Sequence, residues 1–265
     1  MLPQPAEFVS LAQQTIKGFL TLLLIFLPIE LAFAQRSQPL LRPRLGEDVF
    51  YFVLNSIVPK LLITALVGLL VVAVRPIYAS GIFHGMAGLP LTLRVLLAIV
   101  VGDIGAYWGH RWSHEWPLLW HFHKIHHESE AMDWLVTSRA HPVDMVFTRL
   151  CGVGLIYLTG LAQGSLGQGS SVMVVYMVLG GFWGYFVHAN LTWRFGFLEN
   201  YIATPAYHHW HHSNGSARSI NKNYAAIFPW IDRLFGSLYL PRRSWPQSYG
   251  LKVRLTPATP ITYHS

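Results

Sequence analysis

Five stretches of this 265-residue chain, near residues 17–34, 56–76, 90–108, 145–162 and 171–188, stay apolar over a length that crosses a hydrocarbon core of about 30 Å. A chain organised around such stretches belongs in a bilayer. Its composition agrees: 52% of the residues are hydrophobic and 12% charged, with a mean hydropathy of +0.37, a balance too apolar for an ordinary soluble domain. The expected fold class is all-α and integral to the membrane, with four to five transmembrane helices.

Orientation follows from the basic residues, which favour the cytoplasmic side. Segment 35–47 carries Arg36, Arg42 and Arg44, segment 109–144 carries Arg111, Lys124 and Arg139, and the chain beyond Asn190 carries eight lysines or arginines, whereas Gly164–Ser170 carries none. The formal net charge of +7 therefore reads as membrane orientation, not as nucleic-acid binding. The first stretch has a rival reading, because Lys17, a leucine run and Ala32-Phe33-Ala34 before Gln35 resemble a signal peptide and its cleavage site. Topology argues for a retained helix, since cleavage there would place segment 109–144 outside. Segments 109–144 and 189–240 then share one face as a cytoplasmic helical cap. The chain divides into anchor helices at 1–89, a catalytic unit at 90–240 and an irregular tail at 241–265, where Pro241, Pro246, Pro257 and Pro260 discourage regular structure.

Twelve of the fourteen histidines lie between positions 110 and 212, and their spacing is informative. His110 and His114 form HxxxH; His123, His126 and His127 form HxxHH; His208, His211 and His212 form a second HxxHH. Residues three and four apart share a helix face, so each cluster directs two or three imidazoles toward a common point. Shuffling this composition yields two HxxHH patterns in fewer than about one sequence in a thousand, which disposes of chance. Imidazole suits iron, zinc, copper or nickel. The single cysteine, Cys151, excludes a thiolate site or an iron–sulfur cluster. Eight histidines are too many for one ion, so two ions are expected. A site reached from both cytoplasm and bilayer fits O2 activation, because an unreactive C–H bond needs a metal oxidant that side chains cannot supply.

These residues carry a resemblance. Asp103-Ile-Gly-Ala-Tyr-Trp-Gly-His110-Arg-Trp-Ser-His114, Trp120-His-Phe-His123-Lys-Ile-His126-His127, Arg139-Ala-His141-Pro142, His188-Ala-Asn190 and Thr204-Pro-Ala-Tyr-His208-His-Trp-His211-His212-Ser213 resemble the fatty acid hydroxylase and sterol desaturase superfamily of membrane di-iron enzymes. Asn221-Lys-Asn-Tyr224 and Asp232-Arg-Leu-Phe-Gly236 look like that family's later motifs. The resemblance implies four transmembrane helices, a metal-bearing cytoplasmic cap, two iron ions, O2 as co-substrate, and NAD(P)H-derived electrons from a separate cytochrome b5-like or ferredoxin-like donor. It implies a lipid substrate drawn from the bilayer: a sterol, fatty acyl chain or other alkyl lipid, hydroxylated or desaturated.

Carried over position by position, the resemblance implies nine ligands: His110, His114, His123, His126, His127, His188, His208, His211 and His212. Full-complement members often have a tenth histidine four residues after the equivalent of His188, and position 192 here is Thr. A water held by Asn190 is the expected substitute, with His141 or an open position as alternatives. Asp103, inside a span and seven residues before His110, is expected either to bond a ligand imidazole or to tie a neighbouring helix.

Other polar residues have plainer expectations. His84 and His264 read as solvated, His121 and His209 as surface or supporting residues, and His141 as equally suited to lining the substrate entrance. Asp144, Glu115 and Glu128 read by default as solvated cap residues. Tyr107, Trp108, Trp112, Trp116 and Trp120 read as an interfacial aromatic belt. Two other functions compete. A histidine-rich metal transporter would string its ligands along a path through the spans, and a haem protein would face isolated histidines across a gap.

Overall fold

The computed structural model describes residues 5–79, 81, 84–163, 168–215 and 217–251. Helices α1 (Pro5–Phe33), α2 (Leu45–Ala79), α3 (His84–Ala87), α4 (Leu91–Glu115), α5 (Pro117–His127), α6 (Pro142–Leu158), α7 (Gln168–His188), α8 (Pro205–His211) and α9 (Pro229–Leu234) follow in order, with 3-10 turns at Trp134–Ser138 and Gly196–Asn200. Among the described residues there is no sheet, only two isolated bridges, Ala34 with Leu191 and Ser213 with Tyr249. Lipid offers backbone groups no partners, so the apolar stretches satisfy theirs internally as helices.

Segments Val9–Phe33, Leu45–Pro76, Leu91–Glu115 and Ser171–His188 are long and apolar enough to cross a membrane. The expected stretch at 145–162 becomes α6, a 17-residue helix that carries Asp144 and Arg149. Three of its neighbours' glycines let it sit unusually deep. A Cβ on Gly105 would stand 2.4 Å from the Cys151 carbonyl oxygen, and one on Gly102 would stand 2.9 Å from Ile156 Cδ1. Gly109 likewise abuts Cys151. Backbones packed this closely replace the hydrophobic drive that lipid does not provide.

Helices α5, α6, α8 and α9 each open with proline in the first turn, at Pro117, Pro142, Pro205 and Pro229. Proline there lacks only an N–H that would have had no helical partner. The same proline pushes the residue before it out of the α region, and Trp116 accordingly ends α4 in an extended conformation. The result is a sharp corner between His114 and His123.

Buried ion pairs lock the cap to the anchor helices. Arg42 pairs with Asp48 at 2.6 Å and Asp133 at 2.5 Å, and Arg139 pairs with Asp48 at 2.5 Å and Glu47 at 2.8 Å. An apolar cluster around Phe26, Phe52, Trp134, Phe186 and Tyr207 joins the same elements. The stretch 17–34, read from sequence as leader or retained helix, lies in α1 up to Phe33, and Glu30 Oε1 of this helix accepts the backbone N–H groups of Trp134 and Asn190, both at 2.8 Å.

The tail is irregular but attached over its described part: Arg36 donates to the Pro246 carbonyl, and Asn214 Nδ2 donates to the Tyr249 carbonyl at 2.7 Å. Residues 252–265, with His264, and the loop residues 164–167 lie outside the described residues, as does the His84 side chain.

Candidate metal centre

All nine histidines singled out above converge, in two adjoining groups. His110, His114, His123, His127 and His211 form one, and His126, His188, His208 and His212 the other; within each, the candidate ligand nitrogens lie within 4.8 Å of one another. Each HxxHH motif is divided between the groups. Its i and i+4 imidazoles go to one and its i+3 imidazole to the other, so the neighbours His126 and His127 serve different groups, as do His211 and His212.

The far side of most rings is held by a fixed acceptor. His110 Nδ1 donates to the Tyr224 carbonyl at 2.8 Å, His126 Nδ1 to Arg139 at 3.0 Å, His188 Nδ1 to Gly184 at 2.7 Å and His211 Nδ1 to Lys222 at 2.7 Å. His123 Nδ1 donates to Asp144 Oδ2 at 3.0 Å, while Ser113 Oγ donates to the other Asp144 oxygen at 3.1 Å. Carbonyls and carboxylates only accept, so these partners put the proton on Nδ1 and leave Nε2 as a bare lone pair.

The bare nitrogens of His126 and His188 face each other, with Nε2 of His208 and His212 beside them. Nε2 of His188 lies 3.1 Å from that of His126, 3.0 Å from that of His208 and 3.2 Å from that of His212. In the other group, buried Nε2 atoms of His110, His114 and His211 have no hydrogen-bond partner. Lone pairs of His126 and His188 at this separation repel unless a cation stands between them. Imidazole–metal bonds of about 2.1 Å place neighbouring ligand atoms about 3.0–3.4 Å apart, so the spacing fits a metal ion. Burial, and after it the neighbouring imidazoles, pushes His127, His208, His211 and His212 well below the ordinary 6.5 and His126 to about 3. The rings stay neutral, the state a metal ligand requires.

Asp103 does not reach an imidazole. Its carboxylate accepts the backbone N–H groups of Ala226 at 2.9 Å, Ile227 at 3.1 Å and Phe228 at 2.7 Å, and so anchors the loop whose Tyr224 carbonyl orients His110. Asp232 fixes the same loop from below, accepting from Tyr224 N at 2.7 Å and Ala225 N at 2.9 Å. Asn221 and Asn223 take positive φ values of 56° and 61°, which asparagine tolerates, and this turn presents the Lys222 and Tyr224 carbonyls to the cluster.

Asn190 is a clasp and not the expected water holder. Its Oδ1 accepts from Arg36 N at 3.0 Å and its Nδ2 donates to Arg36 O at 2.8 Å, so the amide faces the end of α1. Thr192 bonds the Phe33 carbonyl in the same bridge. His141 caps α6, its Nδ1 accepting from Val143 N at 3.2 Å, and lies in neither group. Asp144, read as solvated, is 6% exposed and orients His123. Glu115 and Glu128 pair with Arg111 and Arg44.

His209 is fully buried between the Ala189 carbonyl at 3.1 Å and the Tyr249 hydroxyl at 3.0 Å, while His121 is exposed. Tyr107 departs from the aromatic belt: it is buried, with its hydroxyl 2.8 Å from Ser237 Oγ. Sequence reasoning missed Arg149 and Glu30, though an ionisable residue inside an apolar stretch was a visible signal for both.

A cavity of about 250 Å³ touches His110, His123, His126, His188 and His208. A second, of about 560 Å³, lies among α1, α2, α6 and α7, and Thr137, Met145, Arg149 and Gly181 belong to the walls of both. A Cβ added to Gly180 or Gly181 would meet open space.

Membrane-length helices, two histidine groups that could hold metal ions and a cavity beside them are the features of a membrane metalloprotein. The chain belongs to the fatty acid hydroxylase family, whose sequence profile matches residues 95–237, more than half its length. It is 31% identical over 165 residues to an ornithine lipid hydroxylase of Rhizobium tropici, covering 61% of this chain and 46% of that protein. It is 34% identical over 141 residues to the alkylglycerol monooxygenase of Danio rerio, covering 53% and 29%. A Delta(7)-sterol 5(6)-desaturase of Gibberella zeae is 26% identical over 156 residues, covering 57% and 43%. The chain thus spans less than half the length of each of these relatives. No solved structure matches it significantly.

Proposed function

We propose that this chain oxidises a membrane lipid, by hydroxylation or desaturation, with two iron ions and O2. The observation that carries the reading is the set of bare Nε2 atoms brought together in two groups beside a cavity among the membrane-length helices. Iron bound there supplies the O2-dependent removal of hydrogen from an unreactive C–H bond. The chain's own residues do the rest. Asp144 and the carbonyls of Tyr224, Arg139, Gly184 and Lys222 hold the imidazoles with their lone pairs inward. Ala106, Ala140 and Val187 give the smaller cavity apolar walls that keep water from the reacting carbon.

The relatives named above act on lipids by hydroxylation and desaturation, which supports this class of substrate. In this reading the histidine face is cytoplasmic, electrons arrive from a separate cytochrome b5-like or ferredoxin-like donor, residues 90–240 form the catalytic unit, and helices within 1–89 complete the lipid cavity. A transporter fits less well, since both histidine groups lie together and not along a path. Haem fits less well too, because ring nitrogens 3.0–3.2 Å apart leave no gap for a macrocycle.

The test is metal analysis of the purified protein combined with a comparison of membrane lipids from cells expressing the native chain or a His126→Ala, His211→Ala double variant. Two irons per chain, and a lipid that gains an oxygen or loses two hydrogens only with the native chain, support the proposal. A haem spectrum, or metal flux in liposomes without lipid oxidation, overturns it.

A further inference from the structure

We propose that Arg149 recognises an oxoanion, carboxylate or phosphate, on the substrate lipid, so that the chain acts on an anionic amphiphile; this deepens the lipid-oxidation reading and rests on it. Arg149 belongs to α6 and stands in the walls of both cavities, where the chamber beside the histidines meets the larger one. Among the described residues no side chain or carbonyl bonds its guanidinium, and the ionisable groups acting on it are Tyr185 and Tyr176, neutral phenols at ordinary pH. No Asp or Glu lines the larger cavity. The one carboxylate lining the smaller, Asp144, is engaged by His123 and Ser113.

A buried arginine elsewhere shows what a structural role looks like in this fold. Arg94, on α4, donates to the Leu161 carbonyl at 2.7 Å and to that of Gln163, and closes the end of α6. Arg149 has no such partners, yet a charge at membrane depth persists where it faces a cavity or meets a counter-ion. A guanidinium offers paired donors that match an oxoanion in two parallel hydrogen bonds. Lys60, halfway along α2, lines the same larger cavity with only a 3.4 Å contact to Gln14 Oε1, adding positive charge to a wall without carboxylates.

Position follows as well. Arg149 is five residues from Asp144, about 7.5 Å along the helix axis, and the chamber beside the histidines holds only about 250 Å³. An anionic group seated at Arg149 therefore presents a nearby carbon to the histidines, and the remote end of a long alkyl chain is left out of reach.

The experiment measures lipid binding by the full chain in neutral-lipid nanodiscs, stripped of metal, with two matched pairs: a fatty acid against the fatty alcohol of equal length, and phosphatidic acid against diacylglycerol. The anionic member of at least one pair should bind about tenfold tighter or more, a preference lost in R149Q and partly retained in R149K, which keeps the charge without the paired donors. The pair that shows the preference identifies the oxoanion. Equal binding within both pairs by the native chain overturns the proposal, as does a preference that survives R149Q. The native-chain comparison alone decides if R149Q does not fold. Because no iron is present, a protein that binds anionic lipid but never loads iron would sink the oxidation reading and leave this one standing.

Discussion

His123 and Asp144 meet at 3.0 Å across 21 residues of chain, imidazole Nδ1 donating to carboxylate Oδ2. In the proposed metal centre the carboxylate would make His123 a stronger ligand by drawing on its proton. Asp144→Asn weakens that pull and leaves an amide to satisfy Ser113. Iron affinity of the five-histidine group should fall roughly 10–100-fold, as for other residues that orient metal-bound histidines. Titration of the stripped protein with ferrous iron checks this, and unchanged affinity at both sites would refute the assignment.

Adjacent histidines should behave as residues of different sites. His211→Ala should deplete the five-histidine group, and His212→Ala the four-histidine group. Iron content should drop from two toward one per chain in each variant. Mössbauer spectra should then show a different surviving iron in the two proteins; identical spectra would mean the division is wrong.

Protons compete for the same nitrogens. His126 is held at about 3 and His127, His208, His211 and His212 well below 6.5, by burial first and then by neighbouring imidazoles. Unfolded imidazoles titrate near 6.5, so below that pH the unfolded chain takes up protons that the folded metal-free chain does not. Stability therefore rises with pH up to about 6.5 and is lost as pH falls through it toward the folded values. Chelator-treated protein should melt progressively lower between about pH 7 and pH 5. A flat melting temperature over that range contradicts the buried, neutral cluster.

Asp103→Ala removes the acceptor for three backbone N–H groups at Ala226, Ile227 and Phe228. The loss should be about 3 kcal/mol or more, because charge-assisted bonds vanish and their donors stay buried. Asp103→Asn should recover part of it. Thermal unfolding in detergent ranks the three proteins, and equal Tm values would show that the loop needs no anchor.

Two glycine substitutions should separate folding from access. Gly105→Ala drives a Cβ to 2.4 Å from the Cys151 carbonyl and should impair folding, whereas Gly181→Ala enters open space and should be tolerated. Gly181→Phe should fill the junction of the two cavities, keeping iron near two per chain while lipid oxidation falls at least tenfold. Full activity in that variant would place the lipid elsewhere.

Eight of the nine histidines were legible because their spacing is local: one helix turn brings i, i+3 and i+4 together whatever surrounds it, whereas His188 was named only through the family resemblance. The division into five and four was not, since it depends on how α5 and α8 meet. His127 and His212, stacked with ring centroids 4.4 Å apart, lie 85 positions apart in the sequence. Asp144 looked solvated because its partner comes from another helix. Asn190 looked like a site residue by proximity to His188, yet the bridge of Ala34 with Leu191 turns its amide toward Arg36. Local pattern identified which residues carry the chemistry, and long-range contacts decided what each one holds.

Glu30 gives this arrangement an order in time. One oxygen of its carboxylate receives Trp134 and Asn190, 104 and 160 residues further along the chain. A ribosome delivers Glu30 to the membrane long before either donor exists, so the first helix waits, its acid unclaimed, through the insertion of every later span. Contacts of such long sequence separation form late. The two histidine groups therefore close only when synthesis has passed His212, and the carboxylate of Glu30 gains its second donor only after Asn190 has been added.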